Sequence, residues 1–287
     1  MNSELDRFTS NLKNRTVVKN IQKVKCCRIN WRDSNKIKIN VLKNRSDIFQ
    51  NIESKEALKI LDILENKDEL PINFIIGSYH KTGSTLWSFI WYNLLKNCNI
   101  NYIDSNHFNE IPSKLIDQVK SVVLIRNPYE IIMSGMRYHC NTDEEWYNIK
   151  RYKFNNLSYK EYINLLSHEE KILFEMSESS YHTIMSIYND IKYKNTNNQI
   201  LFVQLEKLLN KEEQYIECKK ICNHLNIINL KQFQENLNEN LKNKHKKTKD
   251  HNDFTYKTNF TNKHIFNFNK LFPEDLLEVM GYINDKI

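Results

Sequence analysis

Lys81 lies in a run of small and hydroxyl-bearing residues with the sequence GSYHKTGSTLW, at positions 77–87. An apolar segment precedes the run and a helical pattern follows it, which is the arrangement of a phosphate-binding loop. In such a loop the backbone N–H groups at the start of the helix point at the anion, and Gly83 lets the backbone approach it closely. Lys81 supplies a mobile cation, while Ser84 and Thr85 supply hydroxyl groups. The run therefore predicts a site for a phosphate group.

A second candidate phosphate-binding element has the sequence RNPYEIIMS, at positions 126–134. Arg126 ends a β-branched segment, and a guanidinium at that place suits bidentate binding of phosphate. Pro128 starts the next helix, and Ser134 lies about two turns into it, on a face that can return to the same phosphate. A nucleotide that carries phosphate groups on both its 3′ and 5′ positions needs two such anion sites.

The two elements together resemble the PAPS-dependent sulfotransferases. The order Lys-Thr-Gly-Ser-Thr is similar to that family's 5′-phosphosulfate-binding loop, and Arg126 with Ser134 is similar to its 3′-phosphate-binding element. The resemblance implies 3′-phosphoadenosine-5′-phosphosulfate (PAPS) as donor, adenosine 3′,5′-bisphosphate as product, and no metal. The nucleotide-binding residues that it implies are Lys81, Thr82, Gly83, Ser84, Thr85, Arg126 and Ser134.

The resemblance covers roughly residues 71–283 and includes the C-terminal sequence FNKLFPEDLLEVMGY. Many family members carry a tryptophan that stacks on adenine directly after the loop hydroxyls. Here Leu86 has that position and Trp87 follows, so Trp87 either stacks on the base or belongs to the core. A late basic element completes the 3′-phosphate site in the family, and its candidates here are Lys244, Lys246, Lys247 and Lys249.

Sulfuryl transfer needs a general base for the acceptor and a cation at the leaving group. Lys81 is the expected cation, because the matching lysine has that role in the family. His107 follows the second apolar segment, where many cytosolic family members carry a catalytic histidine, and an ordinary histidine pKa near 6.5 suits a base at neutral pH. Glu110 is the alternative base, since some glycan-modifying members use a carboxylate.

Short apolar segments alternate with helical patterns from residue 71 onward, which predicts an α/β fold with a central parallel sheet flanked by helices, similar to the P-loop-like sulfotransferase architecture. Residues 1–70 form an N-terminal extension of unknown role, and residues 71–287 form the sulfotransferase domain. The predicted strands are 17–31, 36–42, 73–78, 101–104, 121–126 and 199–205. The predicted helices are 54–66, 85–97, 129–138, 212–225 and 273–280.

The net charge is +7 and the lysines are scattered, which fits an anionic ligand without singling out nucleic acid. No apolar leader or membrane span is visible, and the dispersed cysteines favour reduced thiols in the cytoplasm. The acceptor is a small molecule, a glycan or a peptide, and the oligomeric state is unknown. Two alternatives stay open. A P-loop nucleotide kinase would need a Walker-type lysine, which is misplaced here, and a non-catalytic polyanion-binding protein would be indifferent to Lys81.

Overall fold

The computed structural model describes residues 16–20, 25–29, 38–42, 49–53, 73–95, 100, 102–111, 116–194, 198–226, 229–245 and 256–285. The chain divides into two compact units. The first unit contains Met1–Ile125 and Asn195–His245, and the second unit contains Arg126–Lys194 and Lys246–Ile287. Each unit therefore combines segments that are distant in the sequence.

One mixed sheet organises the first unit, with strand order β10-β7-β5-β6-β1-β2-β3-β4. Its strands are β1 Thr16–Asn20, β2 Lys25–Ile29, β3 Lys38–Leu42, β4 Phe49–Glu53, β5 Phe74–Ser78, β6 Tyr102–Ser105, β7 Ser121–Ile125 and β10 Ile200–Gln204. The four strands β10, β7, β5 and β6 run parallel to one another. The pairs from β6 through β4 are antiparallel. The fold class is thus α/β with a central parallel sheet, as the sequence predicts.

The central strands are buried along their whole length. Every residue of β5, β6 and β7 is buried, which explains why β5 and β7 are largely apolar runs rather than alternating patterns. Gly77 in β5 pairs with Ser105 on one side and Val123 on the other. Because neighbouring parallel strands end at the same edge, the segments that follow β5 and β6 begin close together.

Four helices complete the described part of the first unit: α1 Ser84–Leu95, α6 Leu205–Leu209, α7 Lys211–Leu225 and α8 Leu230–His245. Their apolar side chains form one core with the sheet. Trp91 lies at its centre, with ring-centroid distances of 5.3 Å to Phe74 and 5.4 Å to Trp87 and Phe233. Burial of these large rings supplies much of the hydrophobic stabilisation of this unit.

The second unit is mainly helical. Its helices are α2 Pro128–Asn141, α3 Tyr159–Leu165, α4 His168–Ser177, α5 Ser179–Asn189, α9 Tyr256–Asn259, α10 Asn262–Leu271 and α11 Leu276–Val279. A small hairpin pairs β8 Lys150–Arg151 with β9 Leu157–Ser158. Capping boxes at Ser158 and Ser167 fix the starts of α3 and α4, since each serine and the glutamate three residues later satisfy one another's backbone N–H groups.

The structure confirms the predicted central strands and helices to within a few residues. It corrects the segment 17–31, which forms two strands rather than one, and it adds β4, which the sequence did not predict. The terminal helix is shorter than predicted: α11 begins at Leu276, because Pro273–Asp275 form a turn. The predicted helix 54–66 lies outside the described residues. The division into an extension, 1–70, and a domain, 71–287, stays a prediction.

Gly77 is required by a close contact with Phe108. A Cβ atom added at Gly77 would lie 2.5 Å from Cδ2 of Phe108, so this fully buried ring or the strand would have to shift. We therefore expect Gly77→Ala to lower the free energy of unfolding by about 1–3 kcal/mol, measured by urea denaturation. The cost should be smaller in a Phe108→Leu background, and an equal cost in both backgrounds would contradict the contact.

Candidate functional site

The turn between β5 and α1 contains the predicted phosphate-binding loop. Two of its residues have positive φ angles, 63° at Lys81 and 94° at Gly83. This region is unfavourable for residues with a side chain, so a lysine there is strained where a glycine would not be. Backbone alternations of this kind build concave nests of N–H groups that bind anions. The loop therefore has left-handed backbone at two positions on either side of Thr82, and one of them is a lysine at a strained position.

Thr82 holds the loop in this shape. Its Oγ1 accepts a hydrogen bond from the backbone N–H of Tyr79 and donates one to the carbonyl of Tyr79, both at 2.9 Å. The backbone N–H of Thr82 also donates to that carbonyl, at 3.2 Å. The side chain is fully buried. Thr82 thus uses its hydroxyl to stabilise the loop, and its part in nucleotide binding stays a prediction.

The residues after Gly83 begin α1. The carbonyl of Gly83 accepts the first helical hydrogen bond, from Trp87 at 3.0 Å. Ser84 is half-buried and Thr85 is exposed, so both hydroxyl-bearing residues lie at the accessible start of the helix. Trp87 is 1% exposed and packs edge-on against Trp91. This settles the alternative left open by the sequence, because Trp87 belongs to the core.

His107 and Glu110 follow β6, the parallel neighbour of β5. His107 is half-buried, precedes the 3₁₀ turn Phe108–Glu110, and donates its backbone N–H to Oγ of Ser105 at 3.3 Å. The ring of Phe108 packs against Tyr79 at 6.3 Å in an edge-on arrangement. This contact joins the segment of His107 to the segment of Lys81. Glu110 ends the 3₁₀ turn, and its side chain lies outside the described residues.

Arg126 and Ser134 belong to the second unit, where Arg126 directly precedes the N-cap of α2 and Ser134 lies on a half-exposed stripe of that helix. Asn127 caps this helix and Pro128 is at its first position. The guanidinium of Arg126 forms an ion pair with Glu130, at 3.1 Å between Nη2 and Oε2. Since each residue advances the helix by about 100°, Glu130, Ser134 and Arg137 share one face. The anion-binding candidate in this unit is therefore already ion-paired.

Arg137 is the residue that the sequence analysis missed on this stripe. Burial lowers the pKa of Arg137, the carboxylate of Glu130 raises it, and the charge of Arg126 lowers it. The charges of Glu130 and Arg126 therefore act on Arg137 in opposite directions. The spacing of three residues between Ser134 and Arg137 could have indicated that the two share a helix face, since positions three and four apart lie on the same side of a helix.

A buried carboxylate fixes the other side of α2. Glu175 of α4 is fully buried and accepts three hydrogen bonds: from His139 at 2.7 Å, from Tyr159 at 2.8 Å and from Ser180 at 2.6 Å. The hydroxyl of Tyr147 contacts the other ring nitrogen of His139. Burial raises the pKa of both Tyr147 and Tyr159 well above the ordinary value, so these phenols stay protonated. The network therefore ties α2, α3, α4 and α5 together.

The network reaches the residue beside Ser134. A Cβ atom at Gly135 would lie 2.3 Å from Oε1 of Glu175, so only glycine lets α2 approach the carboxylate this closely. Ser134 and Gly135 are adjacent and point about 100° apart on the helix. The orientation of the stripe that carries Ser134 and Arg137 is thus set by Glu175 on the other side of the same helix.

Comparison with solved structures gives a likeness in fold alone. No protein-family model matches the sequence, and the curated proteins contain no significant match. Among solved structures, the chain is similar to the crystal structure of mouse sulfotransferase SULT7A1 complexed with PAP. The likeness is coarse. The TM-score is 0.43 at 16% sequence identity, over 85% of this chain and 96% of that chain.

Two further observations concern the described residues alone. In that part of the chain, the structure places no three histidine, cysteine, aspartate or glutamate side chains together as a metal site would need. No described helix is both long enough and apolar enough to cross a membrane.

Cys218 and Cys222 are buried free thiols, and burial raises the pKa of Cys218 to about 12. These two cysteines are therefore packed in the core as thiols.

Proposed function

We propose that the protein is a sulfotransferase that moves a sulfuryl group from PAPS to a hydroxyl or amine acceptor. The loop Lys81–Thr85 binds the 5′-phosphosulfate, and Arg126 with Ser134 binds the 3′-phosphate. Lys81 stabilises the leaving phosphate, and His107 is the general base, with Glu110 as the alternative. The acceptor is a small molecule, a glycan or a peptide, and the reaction takes place in the cytoplasm without a metal ion.

In the proposed reaction the acceptor oxygen or nitrogen attacks sulfur and forms a new bond to it. The bond between sulfur and the bridging oxygen of the 5′-phosphate breaks, and its electron pair stays on that oxygen. The acceptor proton passes to His107. Negative charge therefore grows on the bridging oxygen, where an ammonium group and backbone N–H groups lower the barrier most. The products are the sulfated acceptor and adenosine 3′,5′-bisphosphate.

The strained backbone at Lys81 is the observation that carries the proposal. A lysine with φ of 63° lies in the turn between a buried parallel strand and the helix that follows it. Non-glycine residues in this region cost energy and are concentrated at functional sites. The order of the loop supports a sulfotransferase over a kinase, because Lys81 precedes Gly83 rather than following the last glycine.

The direct test of the activity is transfer of label from PAPS with a radioactive sulfuryl group. The purified protein is incubated with a phenol, an amine, a sugar and a tyrosine-containing peptide in separate reactions, each with excess EDTA. We expect label in at least one acceptor and equal formation of adenosine 3′,5′-bisphosphate. Release of label as inorganic sulfate alone, with every acceptor unlabelled, would contradict a transferase.

Replacing the general base should separate chemistry from binding. We expect His107→Ala to lower the transfer rate by about 100-fold or more, as loss of a general base does, with nucleotide affinity nearly unchanged. His168→Ala is the matched control, since His168 is exposed in the second unit and should leave transfer unaltered. Loss of transfer in Glu110→Ala, with full activity in His107→Ala, would assign the base to Glu110 instead.

A further inference from the structure

The turn Ile283–Asp285 holds the residue that follows Arg126. Oδ2 of Asp285 accepts a hydrogen bond from Nδ2 of Asn127 at 3.0 Å, although the two residues are 158 positions apart. Oδ1 of Asn127 accepts from the backbone N–H of Tyr129 at 2.9 Å and caps α2. If this amide were rotated by 180°, its NH₂ group would face the N–H of Tyr129 and its oxygen would face the carboxylate of Asp285. Asp285 and the helix start thus fix the orientation of Asn127, which is 2% exposed.

Tyr256 connects the same aspartate to the ion pair of Arg126. Its hydroxyl donates to Oδ1 of Asp285 at 3.3 Å, and its backbone N–H donates to Oε1 of Glu130 at 3.4 Å. Its ring stacks on Tyr129 at 5.2 Å. Burial, followed by the charge of Asp285, raises the pKa of Tyr129 to about 12. Tyr256 therefore bridges Asp285 and Glu130, the ion-pair partner of Arg126.

We infer that Asp285 is a positioning residue for recognition of the 3′-phosphate, acting through Asn127 and Tyr256 on Arg126. The inference rests on the proposed function, which assigns the 3′-phosphate to Arg126 and Ser134. Bidentate binding needs the guanidinium plane at a defined angle, and the backbone beside Arg126 is set by the Asn127 amide. The side chain of Asp285 itself does not touch the nucleotide.

A positioning role and a purely electrostatic role of Asp285 predict opposite effects on the affinity for the 3′-phosphate. A carboxylate near an anion site repels the anion, so a purely electrostatic Asp285 would weaken phosphate binding and its removal would strengthen it. A positioning Asp285 strengthens binding, and only the acceptor oxygen matters. Asp285→Asn keeps an acceptor oxygen and removes the charge, whereas Asp285→Ala removes both. The two variants therefore separate the two roles.

The experiment is calorimetric titration of the parent and both variants with adenosine 3′,5′-bisphosphate and with adenosine 5′-phosphate. We expect Asp285→Ala to bind the bisphosphate about three- to tenfold more weakly, the equivalent of one lost hydrogen bond. Asp285→Asn should bind it as tightly as the parent or more tightly. The affinity for adenosine 5′-phosphate should be the same in all three proteins, because this ligand has no 3′-phosphate.

Tyr256→Phe keeps the ring and removes the second hydrogen bond to Asp285. If Asp285→Ala does not fold, Tyr256→Phe provides the same test. We expect it to bind the bisphosphate more weakly than the parent and to bind the monophosphate equally well. Equal bisphosphate affinities in Asp285→Ala and Asp285→Asn, or parallel losses for both nucleotides, would overturn the positioning role alone. A parent protein that binds no more tightly to the bisphosphate than to the monophosphate would overturn the proposed function and this inference with it.

Discussion

Replacing Lys81 by alanine is expected to lower the rate of sulfuryl transfer by about 100- to 1,000-fold, the usual loss when one group that stabilises developing charge is removed. Charge develops on the bridging oxygen only as the bond to sulfur breaks. The effect should therefore be large on turnover and smaller on nucleotide affinity. The measurement is single-turnover transfer from labelled PAPS at saturating donor.

Lys81→Gly gives this prediction a sharper form. Glycine adopts a φ of 63° without strain, so the free energy of unfolding of this variant should lie within about 1 kcal/mol of the parent value. It should nevertheless lose transfer as fully as Lys81→Ala. Lys219→Ala is the matched control, because Lys219 is an exposed lysine on α7 of the same unit. Full activity in either Lys81 variant would contradict the mechanism.

Replacing Glu175 by alanine is expected to lower the free energy of unfolding by about 3–5 kcal/mol, because breaking a buried pair leaves its partners without compensation. His139, Tyr159 and Ser180 would each keep a buried donor with no acceptor. The melting temperature should fall by about 6–20 °C. Differential scanning calorimetry measures both quantities on the purified variant.

Glu178→Ala is the matched control for this prediction. Its carboxylate is 30% exposed and pairs with Lys153 at 2.6 Å, so its loss should cost less than about 1 kcal/mol. Gly135→Ala should be strongly destabilising in the parent, where the new Cβ meets Glu175, and much less so in Glu175→Ala. A Glu175→Ala variant that melts with the parent would show that the buried network contributes nothing to stability.

The sequence predicted the elements whose signals are local. The strands β5 and β7 are continuous apolar runs, and α2 has a capping asparagine followed by Pro128, so each could be recognised within about ten residues. The loop with Lys81 was recognised in the same way, from its order of residue types. The segment 49–53 gave no such signal, because FQNIE has neither a clear alternation nor a turn residue at its end.

The contacts between distant residues could not be predicted from one sequence. Glu175 and His139 are 36 positions apart, and Asn127 and Asp285 are 158 positions apart. The sequence around each of these residues does not indicate which distant residue it contacts, since a buried glutamate and an exposed one look alike in sequence. The contact between the Thr82 hydroxyl and the backbone of Tyr79 could not be predicted for a related reason, because a hydroxyl that bonds to its own loop looks the same in sequence as one that faces a ligand.

Thermal stabilisation by adenosine 3′,5′-bisphosphate tests the central claim most directly. The protein is melted with the bisphosphate, with ADP and with ATP–Mg²⁺, and each series is repeated in EDTA. At about 100 times its dissociation constant, a ligand adds about 2.7 kcal/mol to the free energy of unfolding. We expect a rise of about 5–10 °C with the bisphosphate, unaffected by EDTA and much larger than with ADP. A rise in melting temperature with ATP–Mg²⁺ alone would contradict the sulfotransferase proposal. The absence of a rise with any of the three nucleotides would also contradict it.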